Sequence, residues 1–310
     1  MLTMPMKSQI AVVGSVNMDL VFRMPRMPVP GETLMGHSFH QVHGGKGANQ
    51  AVAAARMGAA VSMVACVGDD PNGKSCVQGL EQDGIDRQSV RVTSTAATGV
   101  AGILLDDAGE NCIVLATGAN ALLDLSDIDN AASTIAQAKL LLCQLETPMA
   151  TVLHAFAIAK RAEVKVVFNP APAQILSNEV LAQVDYLIVN ETEAALLSGV
   201  EVNDLTGAAA AATILISRGA RNVLLTLGAA GMWVATPDEA YSLPARQVEV
   251  VDTTAAGDTF VGSFAVAIAE GMDMRAACMF AQSAAALAVT KLGAQSSIPY
   301  RVELERFLVE

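Results

Sequence analysis

The chain has 310 residues, 52% of them hydrophobic and only 16% charged, which excludes a disordered polymer and fits one large domain with a small appendage. Its formal net charge of −12 excludes nucleic acid or an anionic membrane held by a bulk field, so any polyanion needs a local nest of backbone amides and a cation. Five scattered cysteines, Cys66, Cys76, Cys112, Cys143 and Cys278, form no C-x-x-C pair and read as thiols in a reducing cytoplasm. The opening MLTMPMKSQIAVVGS carries too short an apolar run for a signal segment, and no uninterrupted span of roughly 18 apolar residues follows. The expectation is a soluble, cytoplasmic protein with no membrane or nucleic-acid partner.

In chain order, residues 10–14 (IAVVG) are a continuous apolar run, the pattern of a strand buried on both faces. GSVNMDL, residues 14–20, follows, with Asn17 and Asp19 two positions apart. In an extended segment they face one side and suit the neighbouring hydroxyls of a sugar; the alternative is an Asx turn ending the strand. Residues 20–42 hold three prolines and no helical pattern. His37, His40 and His43 recur every third residue, which would line up a metal face on a helix, but a β-like segment scatters them over two faces.

HGGKGANQAVAAARMG, residues 43–58, runs Gly44, Gly45 and Gly47 into the helix expected over 48–57. The loop reads as a close backbone approach to a ligand at a helix N-terminus, with Lys46 and Asn49 adding polar groups, or as a tight turn. It matches neither a Walker loop nor the dinucleotide fingerprint, since Gln50 stands where a third glycine is required. Strands are then expected over 61–68, 139–145, 164–169, 185–190 and 222–228, and helices over 72–83, 149–162 and 206–217. Strand alternating with helix predicts a doubly wound α/β fold. Residues 98–115 interrupt it as a hairpin around DDAGEN. NETEA, residues 190–194, reads as a helix cap with Asn190 at N-cap and Glu193 at N3; the functional alternative is a phosphate–magnesium contact.

VEVVDTTAAGDTFVGSF, residues 248–264, places Ala255, Ala256 and Gly257 ahead of Asp258 at the start of a long helix. Three amides there form an anion hole, and the carboxylate behind them can accept a proton from an attacking hydroxyl.

Together these segments resemble the carbohydrate-kinase family that includes ribokinase, adenosine kinase and bacterial fructokinases. GGKGANQAVAAARMGA is similar to its N-terminal signature and DTTAAGDTFVGSF to its C-terminal one. LCQLETP, NPAPA, NETEA, LLTLGAAG and TKLGAQSSIP arrive between and after them in the family's order, over essentially the whole chain. The nearest likeness, the ribokinase branch, implies a doubly wound, mainly parallel sheet over residues 1–19, 43–97 and 116–310, with a β lid from 20–42 and 98–115 that pairs two subunits into a homodimer. It implies transfer of the γ-phosphate of MgATP to the 5-hydroxyl of D-ribose. The rivals are a 2-deoxyribose, fructose or nucleoside kinase, or a non-catalytic sugar-binding relative. A nucleoside kinase would need an aromatic platform near the lid, where only Phe22 and Phe39 stand.

The resemblance makes Asp258 the catalytic base and Ala255, Ala256 and Gly257 its anion hole. Asn17, Asp19, Gly45, Lys46, Asn49 and Glu146 become sugar contacts; Asn190, Thr226, Gly228, Gly231, Gly257 and Gln282 become nucleotide contacts. Mg²⁺ comes with ATP and meets Glu193 through water. A monovalent cation, usually K⁺, is implied at Asp252, Thr254, Ala288, Lys291, Gly293 and Ser297, mostly through backbone carbonyls.

Overall fold

A computed structural model describes residues 9–309; most of the opening segment, residues 1–8, lies outside the described residues. Thirteen strands divide into two sheets among them. The larger holds β1 (Gln9–Val13), β4 (Ala60–Gly68), β5 (Asp86–Thr93), β8 (Leu140–Cys143), β9 (Lys165–Phe168), β10 (Tyr186–Val189), β11 (Val223–Thr226), β12 (Met232–Ala235) and β13 (Ala240–Leu243). Their order is β13-β12-β11-β10-β9-β8-β1-β4-β5, parallel except for the last two pairings at the β13 edge. The smaller sheet is β3-β2-β6-β7, from β2 (Asn17–Arg23), β3 (Ser38–Gly44), β6 (Gly99–Leu105) and β7 (Asn111–Ala116).

The helices are α1 (Lys46–Arg56), α2 (Pro71–Gln82), α3 (Leu125–Asn130), α4 (Ala132–Gln137), α5 (Met149–Arg161), α6 (Asn178–Leu181), α7 (Glu191–Ser198), α8 (Leu205–Ser217), α9 (Ala256–Ala269), α10 (Met274–Ala288) and α11 (Arg301–Val309). Strand β1 shows why both faces need cover. Ile10 and Val12 join the core under α1, α9 and α10, while Ala11 and Val13 join the core under α5 and α8. Successive side chains on a strand point to opposite faces, so an apolar run demands two helical layers.

The apolar runs read from sequence match β1, β4, β8, β9, β10 and β11 to within a residue or two. Three strands at or next to the sheet edges carried no such run. Strand β5 is alternating and half exposed, and β12 and β13 form an antiparallel hairpin at the other edge. The two edge strands, β5 and β13, are the more exposed and need less apolar sequence, whereas β12 is short and mostly buried.

Helices α1 and α9 pack so closely that a Cβ on Gly262 would lie 2.5 Å from the Gln50 carbonyl oxygen and 2.6 Å from the Ala53 Cβ. Gly262→Ala should therefore destabilise the fold by about 1–3 kcal/mol, read as a lower midpoint in thermal unfolding; an unchanged midpoint would show that the seam is not tight.

Candidate active site

The strand order reverses at β1, which has β4 on one side and β8 on the other. Loops leaving the carboxyl ends of such neighbours diverge and open a crevice. Ser15 follows β1, Glu146 follows β8, Asn169 follows β9, Asn190 follows β10, and Thr226 ends β11. All lie along one edge of the parallel sheet. The Glu146 Oε2 gathers three donors: the Ser15 hydroxyl at 2.5 Å, the Lys46 backbone N–H at 3.1 Å and the Asn17 Nδ2 at 3.3 Å.

The glycines at the end of β3 and the start of α1 fit the tight-turn reading at two positions. A Cβ at Gly44 would lie 2.2 Å from the Asp19 carboxylate, and one at Gly47 would lie 2.5 Å from the Ser15 backbone nitrogen. At these two positions the missing side chain makes room for the protein itself. Gly45, with φ +90°, caps α1 against the Asn17 backbone. The first turn of α1 is tied to the turn after β1, where the Ala48 N–H donates to the Ser15 carbonyl at 2.9 Å and the Gly47 N–H to the Ser15 hydroxyl at 3.2 Å.

Asp258 stands in the first turn of α9 and is buried. Its Oδ2 accepts from Asn49 Nδ2 at 3.0 Å and its Oδ1 from Gln50 Nε2 at 3.0 Å. Gln50 is held in turn by Gln144, whose Nε2 donates to its Oε1 at 2.5 Å, and donates to the Asn169 Oδ1 at 3.2 Å. Sequence reasoning missed Gln50, Gln144, Asn169, Ser15 and Asn120. In the sequence Gln50 stands out only as a departure from another motif; Gln144, Asn169 and Ser15 fall inside quoted segments but lie at strand ends that carry no sign of a shared polar network, and Asn120 lies in a short turn outside any of them. The Asn49 Oδ1 is buried and has no hydrogen-bond partner among the described residues. A buried acceptor of this kind invites a donor such as a sugar hydroxyl.

Ala255 precedes the helix at φ 60°, a left-handed conformation that costs a residue bearing a Cβ about 1–2 kcal/mol. Of the three expected amides, Ala256 N–H already bonds the Thr253 carbonyl at 3.2 Å. Those of Ala255, Gly257 and Asp258 have no protein acceptor among the described residues, so the helix end offers a cluster of N–H groups next to the carboxylate.

Burial pushes the Asp19 carboxyl up to about 7; Glu146 and Asp258 push the same way and Lys46 opposes them. The field of Asp258, then of Glu146, Glu193 and Asp19, raises Lys46 despite its burial. One ammonium thus lies among four acids. Asn190 and Glu193 form the expected capping box of α7, with Asn190 Oδ1 accepting from the Glu193 N–H at 2.8 Å and Glu193 Oε2 from the Asn190 N–H at 3.0 Å. Burial raises the Glu193 carboxyl, against that backbone bond and Lys46.

Thr226 Oγ1 donates to the Val189 carbonyl at 3.4 Å, tying the end of β11 to the residue before Asn190. Gly228 and Gly231, both at positive φ, shape the turn into β12. Gln282 is half-buried on α10 and makes no hydrogen bond with this group. Around the expected cation residues, Asp252 accepts from the Thr254 N–H at 2.9 Å, the Thr254 hydroxyl at 2.6 Å and the Gly293 N–H at 2.9 Å. Burial pushes the Asp252 carboxyl up, but these bonds outweigh it and hold it below the usual range. The Ala288 carbonyl accepts the Lys291 N–H at 3.0 Å, the Lys291 ammonium turns to Glu303, and the Ser297 hydroxyl bonds the Ala294 carbonyl.

Of the three histidines, His40 and His43 lie in β3 and His37 just before it. His43 shares a hydrogen bond with Ser75 and His37 faces Asp107, and no group of three His, Cys, Asp or Glu residues suited to a metal occurs among the described residues.

The model of the pfkB family carbohydrate kinases matches residues 7–301. The chain belongs to that family. A Haemophilus influenzae protein named ribokinase is 46% identical over 303 residues, 98% of this chain and 99% of its own length. A Salmonella typhi protein named deoxyribokinase is 38% identical over 300 residues, 96% and 98% of the two chains. The solved structure of an Arabidopsis thaliana ribokinase complexed with ribose and ATP superposes with a TM-score of 0.90 at 31% identity, covering 98% of this chain and 99% of that one.

Within this kinase fold the Asp19 carboxyl gives a pH signature. The folded state keeps its proton up to about pH 7, the unfolded chain only to the ordinary 3.8. Its contribution to stability is therefore complete below pH 3.8 and is lost as pH rises through 7. In the unliganded protein, Asp19→Asn should gain on the wild type by a few degrees of Tm between pH 5 and 8; parallel pH curves would refute the shift.

Proposed function

We propose that the chain transfers the γ-phosphate of MgATP to the 5-hydroxyl of D-ribose, giving D-ribose 5-phosphate and ADP. The observation that carries this reading is the buried Asp258 carboxylate, fixed by Asn49 and Gln50 directly behind the unbonded amides that open α9. The alcohol's proton passes to Asp258 as its oxygen bonds the phosphorus and the bond to ADP breaks; charge on the equatorial oxygens is met by the Ala255, Gly257 and Asp258 N–H groups. Asn17, Asp19, Gly45, Lys46, Asn49 and Glu146 hold the sugar in this reading, and neighbouring hydroxyls suit the paired Asn17 amide and Asp19 carboxyl. Buried polar groups facing a deoxy position would lose their partners, which favours ribose over 2-deoxyribose.

Asn190, Thr226, Gly228, Gly231 and Gln282 take the nucleotide in the same reading. Glu193, whose Oε2 is occupied in the capping box, reaches Mg²⁺ through water with its other oxygen. Asp252, Thr254, Ala288, Lys291, Gly293 and Ser297 would hold K⁺: the donors are all oxygens, one of them an ionised carboxylate, which suits a hard cation. Such a cation lowers the repulsion between ATP and an acidic chain.

The small sheet is the lid of this reading, and two copies of it join a homodimer. Its exposed Phe22 and Phe39, with ring centroids 4.8 Å apart, and the exposed Ile113 and Val114 support an interface. Among the described residues no helix is long and apolar enough to cross a membrane, and all five cysteines are free, which supports a reducing cytoplasm.

A coupled assay of ADP release over ribose, 2-deoxyribose, fructose and adenosine tests the assignment. Ribose should give the highest kcat/KM, and a preference for another acceptor would displace it. Asp258→Asn should lower kcat by about 10²–10⁴-fold with little change in ribose affinity; near-normal turnover removes it as the base. Replacing K⁺ by Na⁺ should lower turnover, and indifference would remove the cation site.

A further inference from the structure

Asn120 lies in the turn after β7, where the chain returns from the small sheet, and it is 1% exposed. Its side chain reaches the point where the chain first leaves the large sheet, between β1 and β2. The Val16 N–H donates to Asn120 Oδ1 at 2.9 Å, and Asn120 Nδ2 donates to the Val16 carbonyl at 3.2 Å and to Asn17 Oδ1 at 2.7 Å.

These bonds settle the orientation of two amides. A backbone N–H can only donate and a backbone carbonyl can only accept, so Val16 dictates which end of Asn120 is oxygen and which is nitrogen. The nitrogen that results must meet an acceptor, so the Asn17 atom facing it is Oδ1. Asn17 therefore turns its NH₂ toward Glu146 Oε2 and the crevice. Only one polarity of hydrogen bond remains for a ligand there.

We propose that Asn120 is a positioning residue for sugar recognition: it locks Asn17 as a donor, so that a hydroxyl between Asn17 and Asp19 is held by a donor on one side and a carboxyl on the other. The inference rests on Asn17 being a sugar contact. It adds a residue that touches no substrate and a hydrogen-bond polarity for the one that does. Without the lock, only the longer bond to Glu146 Oε2, at 3.3 Å, holds the Asn17 amide, and a flipped amide would present a carbonyl oxygen where the sugar oxygen expects a donor.

Asn120→Asp keeps the acceptor for Val16 N–H and loses the donor, so the Asn17 NH₂ is drawn away from the crevice toward the new carboxylate. Titration calorimetry on the intact protein should show ribose affinity weakened by about tenfold or more, with the affinity for MgATP within twofold of the wild type. Ribose should lose more than 2-deoxyribose. The double variant Asn17→Ala with Asn120→Asp should bind ribose no more weakly than Asn17→Ala alone, because both remove one interaction.

Asn120→Ala, which frees the Asn17 amide without adding a charge, should show the same pattern more weakly and serves if the aspartate variant does not fold. If Asn17→Ala weakens ribose while both Asn120 variants bind it normally, the positioning role is refuted. It is refuted equally if they weaken ribose and MgATP together, in step with a fall in Tm. If Asn17→Ala itself leaves ribose binding unchanged, the sugar contact fails and the inference falls with it.

Discussion

The Asp258 carboxylate is held from both oxygens by consecutive residues of another helix, and the rest of the site is arranged around that contact. Asn49 and Gln50 reach it because α1 and α9 pack at glycine distance, with Gly262 against the Gln50 backbone. Gln50 is clamped from behind by Gln144 and Asn169, which come from the ends of β8 and β9. A side chain fixed by two layers of hydrogen bonds has little freedom to lose when a substrate arrives, which is where preorganised sites gain.

The same corner concentrates charge at a cost. Asp19, Glu146, Glu193 and Asp258 share the field of a single half-buried ammonium, Lys46. Asp19 takes the strain, its carboxyl pushed up to about 7 by burial and by its neighbours. Such crowding is unfavourable for the empty fold and typical of functional sites, where groups wait for ligands to complete their partners. The unpartnered Asn49 Oδ1 is the hydrogen-bonding counterpart of that imbalance.

Several features read from the sequence gain partners in the structure that the local pattern did not specify. Gly44 and Gly47 are indispensable, but the space they leave is filled by Asp19 and Ser15. Asn190 and Glu193 do form a capping box, and the cap holds Glu193 over Asn169, beneath the network of Asp258. The turn at Ala255 to Asp258 opens a helix as expected, with one of its three amides already engaged by Thr253.

The sequence by itself determined the layered α/β plan, since short apolar runs alternating with helical stretches are the pattern of strands covered on both faces. It also named Asp258, Asn49, Asn17 and Glu146, each of which sits in a motif of its own. What only the tertiary structure decided is how these motifs meet: Asn120 with Asn17 across 103 positions, Gln50 with Asp258 across 208. Local pattern reports which face a residue takes along its own element, whereas the partner of a buried amide is set by the crossing of elements remote in the chain, and no periodicity encodes that.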